Sequence, residues 1–158
     1  PQFPCDLFYY TFNVERADYL DVKTGPGVQV IDDCTELGPD SRGTIWVSTE
    51  DDCRINARDI GSPEWPVFLI SAANLFSLAG NANIYGTLFV TDVEGKNGEF
   101  EATGTNTVYG AAIIDGPLGK FSGTYQVVWN DDLIERATKT GSLGKIYGGW
   151  TDFHEDWR

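Results

Sequence analysis

A nine-residue segment of this chain occurs twice at a spacing of 24 residues, and this repeat constrains the fold more than any other feature. Residues 84–92 read Ile-Tyr-Gly-Thr-Leu-Phe-Val-Thr-Asp, and residues 108–116 read Val-Tyr-Gly-Ala-Ala-Ile-Ile-Asp-Gly. Each copy has an apolar residue, a Tyr-Gly pair, a second apolar segment and an acidic turn. Such a period is typical of stacked structural units, and neighbouring strands in a stack lie about 4.8 Å apart. The repeat therefore predicts a parallel β-solenoid.

Looser copies extend the repeat in both directions. Residues 66–71 resemble the segment after each Tyr-Gly pair, and residues 121–129 supply a further corner and strand. We expect about three coils, beginning near residues 67, 87 and 111. Only glycine adopts a positive φ at low cost where the chain turns a corner, and we assign these structural corners to Gly86, Gly110 and Gly123.

An antiparallel meander is the alternative fold. Its strands are also bounded by glycine, and its hairpin turns typically carry Asn-Gly or Asp-Gly pairs. Asn97-Gly98 and Asp115-Gly116 are the pairs of this kind in the sequence. The repeat favours the solenoid because it preserves the order of residues as well as the spacing of turns, but the meander stays open at this point.

The composition restricts the class of protein and the partners. The chain has 158 residues, which is the length of one domain with a modest core. It carries 11 Lys and Arg against 24 Asp and Glu, a formal net charge of −13, so we expect no nucleic-acid partner. It contains no run of about 18 apolar residues. It also has no Met and begins with Pro1, which suggests an ectodomain whose targeting segment has been removed.

The segments around the repeats are predicted to cover the ends of the solenoid, where backbone groups would otherwise lie unpaired. We expect one domain, 1–158, with an N-terminal α/β cap (1–65), a β repeat core (66–130) and a C-terminal helix and tail (131–158). Phe8 and Phe12 are four residues apart, as on one face of a helix. Residues 43–48 form a plausible strand, and Asn130 begins a short helix.

The cysteines allow two interpretations. In a cytosolic protein Cys5, Cys34 and Cys53 would be ordinary thiols, whereas in an exported protein two of them would be expected to pair. Cys34 and Cys53 enclose the predicted strand at 44–47, and Cys5 lies near the beginning of the chain. Because we interpret the chain as an exported ectodomain, we predict a disulfide between Cys34 and Cys53 that does not involve Cys5.

We predict no catalytic residue, no metal site and no cofactor. His154 is the sole histidine and lies close to the end of the sequence, so a catalytic triad would have to converge on the tail. The cysteines and histidine lack the paired spacing of a zinc site. Acidic clusters at 32–33, 50–52 and 131–132 resemble calcium ligands in chemistry, but none matches a calcium-binding loop. We expect them to be solvated turns and helix caps.

A carbohydrate-active enzyme is the catalytic alternative. Long parallel β-helices can line a sugar groove with paired carboxylates, and we expect Asp92 and Asp115 to stack on one face. About three coils give a short groove, and acidic turns are expected in a repeat on structural grounds alone. The chain is therefore predicted not to be an enzyme.

The aromatic residues indicate contact surfaces. Five Trp, seven Tyr and nine Phe are more than about three coils can bury. Tyr85 and Tyr109 occupy equivalent positions in the repeat and are expected to stack as a ladder. The tail is predicted either to dock on the domain or to contact a partner through Trp150, Phe153 and Trp157.

The order of several segments resembles the C-terminal portion of the PilX-type minor pilins. The similarity covers residues 7–12, Cys34, residues 43–47, residues 61–70, the two Tyr-Gly corners and the closing residues 148–153. The closing Gly-Gly-Trp-Thr-Asp-Phe is similar to the Gly-Ser-Trp-Arg-Asp-Phe of that family, from which Gly149 and Thr151 depart.

The resemblance implies a non-enzymatic minor pilin ectodomain whose N-terminal hydrophobic helix is missing. In that family the helix anchors the protein in the inner membrane, facing the periplasm, and later packs in the pilus core. The implied partners are other minor pilins and a pilus-tip adhesin, with which the protein would prime type IV pilus assembly for twitching motility and cell adhesion at the cell-surface pilus tip. An adhesin-like module that binds a surface or a glycan is the other non-enzymatic alternative.

Overall fold

The core of the protein is a parallel β-solenoid of about four turns, seen in a computed structural model that describes residues 6–140. The helices are α1 (Leu7–Phe12), α2 (Leu20–Lys23) and α3 (Asp131–Thr140), and short 3-10 turns occupy Arg16–Asp18 and Cys34–Glu36. The strands are β1 (Val28–Ile31), β2 (Gly43–Val47), β3 (Cys53–Asn56), β4 (Asp59–Ile60), β5 (Val67–Ser71), β6 (Leu75–Ala79), β7 (Asn83–Thr91), β8 (Glu99–Asp115) and β9 (Leu118–Val128).

The strands stack on three faces of the solenoid. The first face runs β1, β2, β5, the second part of β7 and the end of β8. The second face runs β3, β6, the start of β8 and the start of β9. The third runs β4, the start of β7, the middle of β8 and the end of β9. Every pairing among these strands is parallel, so the antiparallel meander is excluded.

Column positions correct two details of the predicted coils. Gly43, Val67, Gly86 and Gly110 occupy one column, so successive coils differ by 24, 19 and 24 residues. In the column of Val67, the coils that were expected to begin near residues 87 and 111 therefore begin one residue earlier, at Gly86 and Gly110. The coil between Val67 and Gly86 has 19 residues and is shorter than the 24-residue repeat.

The solenoid also begins earlier than predicted. β1 to β4 lie within residues 1–65 yet pair in parallel with one another or with later strands, so this segment is only partly a cap. These strands lack the Tyr-Gly pair that marks the later coils, and the turn count rises from about three to about four. The division of the whole chain into one domain stays a prediction.

Three strands of the first face, β2, β5 and the second part of β7, are buried on both sides. Ile45, Leu69 and Leu88 point into the solenoid, whereas Trp46 and Phe89 on the alternate positions pack outward against the helices. Strands buried on both faces read as continuous apolar runs, which explains the sequence Val-Phe-Leu-Ile of β5. α1 and α3 supply the outer cover, and Phe8 and Phe12 lie on one buried face of α1 as predicted.

Two of the predicted corner glycines form one column. Gly86 and Gly110 are in register and have φ values of 129° and 141°. A Cβ on Gly110 would collide with the carbonyl oxygen of Gly86, so the stack tolerates glycine alone here. Gly123 also has a positive φ of 84°, but it pairs with Gly104 and belongs to a different corner.

Candidate interaction surfaces

The predicted disulfide is confirmed. Cys34 and Cys53 are bonded with a Cα–Cα distance of 5.5 Å, which joins the 3-10 turn at Cys34–Glu36 to the first residue of β3. The guanidinium of Arg58 donates a hydrogen bond of 2.8 Å to the carbonyl oxygen of Cys34. Leu37 is buried in the same cluster as the disulfide. This segment therefore covers the beginning of the solenoid. Cys5 lies outside the described residues.

Asp92 and Asp115 do not share a column, and the prediction that they stack is wrong. Asp115 pairs with Thr91, because the register keeps the 24-residue spacing of the repeat. The hydroxyl of Thr91 donates a hydrogen bond of 3.0 Å to Asp115. Both carboxylates are instead joined by Arg16, whose guanidinium contacts each of them and lies 3.5 Å from Asp6. The two acids thus serve as anchors for the N-terminal segment.

This N-terminal segment is fastened to the first face by aromatic contacts as well. The ring of Phe12 lies 5.0 Å from that of Phe89 and 5.9 Å from that of Phe68. Phe8 is fully buried and packs 4.8 Å from Phe12. Asp6 caps α1 by accepting hydrogen bonds from the backbone amides of its first turn. We call Phe8, Phe12, Arg16 and Lys23 the N-terminal clamp.

Glu94 completes the N-terminal clamp from the solenoid side. One carboxylate oxygen accepts hydrogen bonds from Lys23 at 2.6 Å and from the indole of Trp46 at 3.0 Å. The other accepts from Ser48 at 2.7 Å. Burial alone would raise the pKa of Glu94, but the hydrogen bonds from Lys23, Ser48 and Trp46 outweigh it, so the pKa is lowered from its ordinary value. The ionised form therefore stabilises the fold.

The surroundings of Arg16 also favour the charged form of the side chain. Burial would lower the pKa of its guanidinium, but the hydrogen bond and charge of Asp115, together with the charges of Asp92 and Asp6, leave the pKa raised. Arg16 thus stays protonated at neutral pH, and its charge holds the two carboxylates of Asp92 and Asp115.

The acidic turns act as predicted where the structure describes them. Asp33 accepts hydrogen bonds from the backbone amide and the hydroxyl of Thr35, and the backbone hydrogen bond is the main reason that its pKa is lowered. Asn130 caps α3 by accepting a hydrogen bond of 3.0 Å from the amide of Leu133. Within residues 6–140 no group of three or more His, Cys, Asp or Glu side chains is placed to hold a metal ion.

A cleft of about 400 Å³ lies at the beginning of the solenoid, beside the disulfide segment. Its lining carries both charges, from Glu36, Asp40 and Arg42. Arg42 also lies 5.0 Å above the ring of Trp65, which is half exposed. The cleft is the place at which a small ligand would be sought if the protein were a binding module.

The end of the solenoid is open along the columns of the core. In the third face Ile60, Ile84 and Val108 are fully buried, but Val127 in the same column is 43% exposed. In the second face Leu118 is 65% and Phe121 is 42% exposed. Within the described part of the chain β9 pairs with β8 alone. We call Leu118, Phe121, Tyr125 and Val127 the open end.

Tyr125 closes part of this surface from inside. Its ring lies 5.5 Å from that of Phe100 and 5.7 Å from that of Phe121, all at steep angles. Burial raises the pKa of Tyr125 to about 12. The open end therefore has an apolar floor.

Of the remaining predicted residues, the tyrosine pair is confirmed and the tail residues lie outside the described part of the chain. Tyr85 and Tyr109 stack as a ladder, with ring centres 5.0 Å apart and an angle of 10° between planes. Trp150, Phe153, Trp157 and His154 lie outside the described residues. No helix within residues 6–140 is long and apolar enough to cross a membrane.

Sequence reasoning missed Arg16 and Glu94. Both make contacts with residues more than 70 positions away, and local patterns do not show such pairs. The available signal for Arg16 was that Asp92 and Asp115 lie at similar positions in the two copies of the repeat, because a cation between two neighbouring carboxylates stabilises both.

Comparison of the chain with protein-family models, with curated proteins and with solved structures found no match.

Proposed function

We propose that the protein is a non-enzymatic minor pilin ectodomain that assembles with other minor pilins and a pilus-tip adhesin to prime type IV pilus assembly. The observation that carries the proposal is the N-terminal clamp. In a pilin, the chain that precedes α1 is the helix that enters the membrane or the fibre, and its direction must be transmitted to the block behind it. The N-terminal clamp supplies such a rigid joint.

The clamp is rigid because it combines burial with ion pairs across several coils. Phe8 and Phe12 fill the outer side of the first face. Arg16 bridges Asp92, directly after β7, and Asp115, the last residue of β8. Lys23 reaches Glu94. A block fastened in this way would follow the orientation of an upstream helix instead of swinging on a linker.

Other features agree with the proposal. The Cys34–Cys53 disulfide suits a protein exported to the periplasm. The solenoid gives a stiff block whose sides can contact neighbours in a fibre. The order of segments that resembles the PilX-type proteins adds the identity of those neighbours and the location, from the inner membrane to the pilus tip.

The test is piliation in the organism that encodes the protein. Deleting the gene should reduce surface pili and twitching motility, and Arg16→Ala should reduce both because it loosens the joint. Arg54→Ala is the matched control, since Arg54 is exposed and pairs with Asp52 and Glu101 on another face. Normal piliation in the deletion strain would refute the proposal.

The alternatives predict different results. A carbohydrate-active enzyme would hydrolyse a glycan and would lose that activity by orders of magnitude on replacement of a single catalytic carboxylate. Asp92→Asn and Asp115→Asn would then abolish glycan hydrolysis by a protein that still folds. An adhesin-like module would bind a glycan array, with the cleft beside Arg42 as the place to look. Neither result is expected from a minor pilin block.

A further inference from the structure

The open end is an unusual surface for so acidic a chain. The protein has a formal net charge of −13, yet residues 118–128 contain no Asp or Glu and have Lys120 as their one charged residue. The same eleven residues form β9, most of which is exposed. An acidic protein thus presents to solvent one long strand that contains no acidic residue.

The backbone of β9 is equally available. A strand at the edge of a parallel sheet directs about half of its amide and carbonyl groups away from its partner. β8 pairs with one side of β9 at Leu118 and, after a register irregularity, from Phe121 to Val128. No other described strand pairs with the second side. Exposed edges of this length are normally blocked by charges, by proline or by a covering element. None of these stands within residues 118–128 except Lys120.

α3 does not cover this edge. It begins just after β9, but Arg136 donates a hydrogen bond of 3.0 Å to the carbonyl oxygen of Glu64, ahead of β5. α3 packs against β2, β5, β7 and β8. The helix therefore runs from the last coil back toward the first, and it carries the chain away from the open end.

We propose that β9 is a strand-addition site. An extended segment of a neighbouring protein, apolar at alternate positions and flanked by Lys or Arg, pairs with the outer edge of β9 and covers the open end. This inference deepens the proposed function, because it names the surface at which a neighbouring protein would join the block.

Charge decides between possible occupants. A second copy of the chain would carry the same net charge of −13, and the repulsion between the two copies opposes association. A basic segment is attracted by the field of the whole protein, and it meets no buried carboxylate that it must desolvate on β9. Backbone pairing then provides affinity, and the apolar side chains provide the register.

The binding test uses the full chain and a defined peptide. The probe is a fluorescein-labelled peptide with the sequence of residues 118–128 and two added lysines at each end. This sequence is chosen because like residues stack in the columns, as Tyr85 and Tyr109 do. The control peptide carries two aspartates at each end instead. We expect saturable binding of the lysine peptide, at least about ten-fold tighter than that of the aspartate peptide at low salt, with the difference shrinking at high salt.

Variants locate the site. Leu118→Ser together with Val127→Ser should weaken binding of the lysine peptide by about ten-fold or more, since both side chains belong to the open end. Val30→Ser is the matched control, because Val30 is 47% exposed on β1 at the other end of the solenoid. It should leave binding unchanged. All three residues are exposed, so the variants should fold, and circular dichroism checks this.

Several results would overturn the inference. Absence of lysine-peptide binding is one, and equal loss in Val30→Ser is another. A dimer that Leu118→Ser and Val127→Ser dissociate would assign the site to a second copy. Slow hydrogen exchange of β9 in the free chain would mean that residues 141–158 already cover it. None of these results depends on piliation, so the proposed function can fail or hold independently.

Discussion

The two ends of the solenoid are built from the same columns of the core but differ in what lies above them. In the first coil Cys53, Ile55 and Ile60 are fully buried beneath the disulfide segment. In the last coil the residues of the same columns are exposed, at 65% for Leu118, 42% for Phe121 and 43% for Val127. The fold does not require an exposed end, since the chain closes one end with its own residues. Within the described residues the two ends thus differ in their cover, and this difference is the basis of the proposed strand-addition site.

The largest loss of stability is expected in the glycine column of Gly86 and Gly110, which belongs to the stack of coils that both ends share. Gly110→Val should destabilise the protein by more than about 3 kcal/mol, because the added side chain meets the backbone of the neighbouring coil at a positive φ. Gly95→Val is the control, since a Cβ there meets nothing within 4 Å although φ is also positive. Urea unfolding measures both, and equal losses would show that the close stacking of coils is not what requires glycine.

Removing the disulfide should affect the end of the solenoid that the disulfide segment covers, at β3, more than the open end. The bridge spans a separation of 19 residues, for which the loop-closure model gives about 3 kcal/mol. Cys34→Ala with Cys53→Ala should lower the free energy of unfolding by about this amount and speed hydrogen exchange in β3 but not in β9. Equal acceleration in both strands would show that the ends are not independent.

Acidic pH should weaken the attachment of the N-terminal clamp to the solenoid, because Glu94 then loses its charge. Because the folded pKa of Glu94 is lowered from 4.5, its contribution is fully present above that pH and is lost as the pH falls through the lowered value. Glu94→Gln should reduce the free energy of unfolding by about 2 kcal/mol at pH 7 and by less at pH 3. Denaturant melts across this range measure the effect. A constant loss at every pH would contradict the role of the charge.

The smallest effect is expected at the open end itself. Val108→Ala should cost about 2 kcal/mol, because it leaves a cavity in a fully buried column. Val127→Ala in the same column should cost less than about 1 kcal/mol, because water already reaches the side chain. Paired urea melts measure the difference. Equal costs would mean that something covers Val127 in solution.

The sequence predicted the architecture where the repeat was visible. The Tyr85 and Tyr109 ladder, the Gly86 and Gly110 corner and the parallel stacking follow from one 24-residue spacing. Gly123 lies at a corner with a positive φ, as predicted, and shares its column with Gly104. The last coil is shorter than the repeat, because Gly104 and Gly123 are separated by 19 residues. A shorter coil changes which residues share a column, although the short motif at each corner looks the same in the sequence.

The contact regions were less visible in sequence. Arg16 and Glu94 depend on side chains brought together by the fold, and residues nearby in sequence give no sign of them. The open end was missed for another reason. β9 reads as an ordinary strand with apolar residues at several positions, and only the stacking shows that no further coil follows within the described residues.

Hydrogen exchange of the full chain tests the difference between the two ends most directly. The amides of β7, which lies between other strands, should exchange slowly, whereas those of β9 should exchange much faster in the free protein. Addition of the lysine-flanked peptide should slow exchange in β9 and leave β1 unchanged. Exchange in β9 as slow as in β7 before any peptide is added would contradict the account, because the end would already be closed.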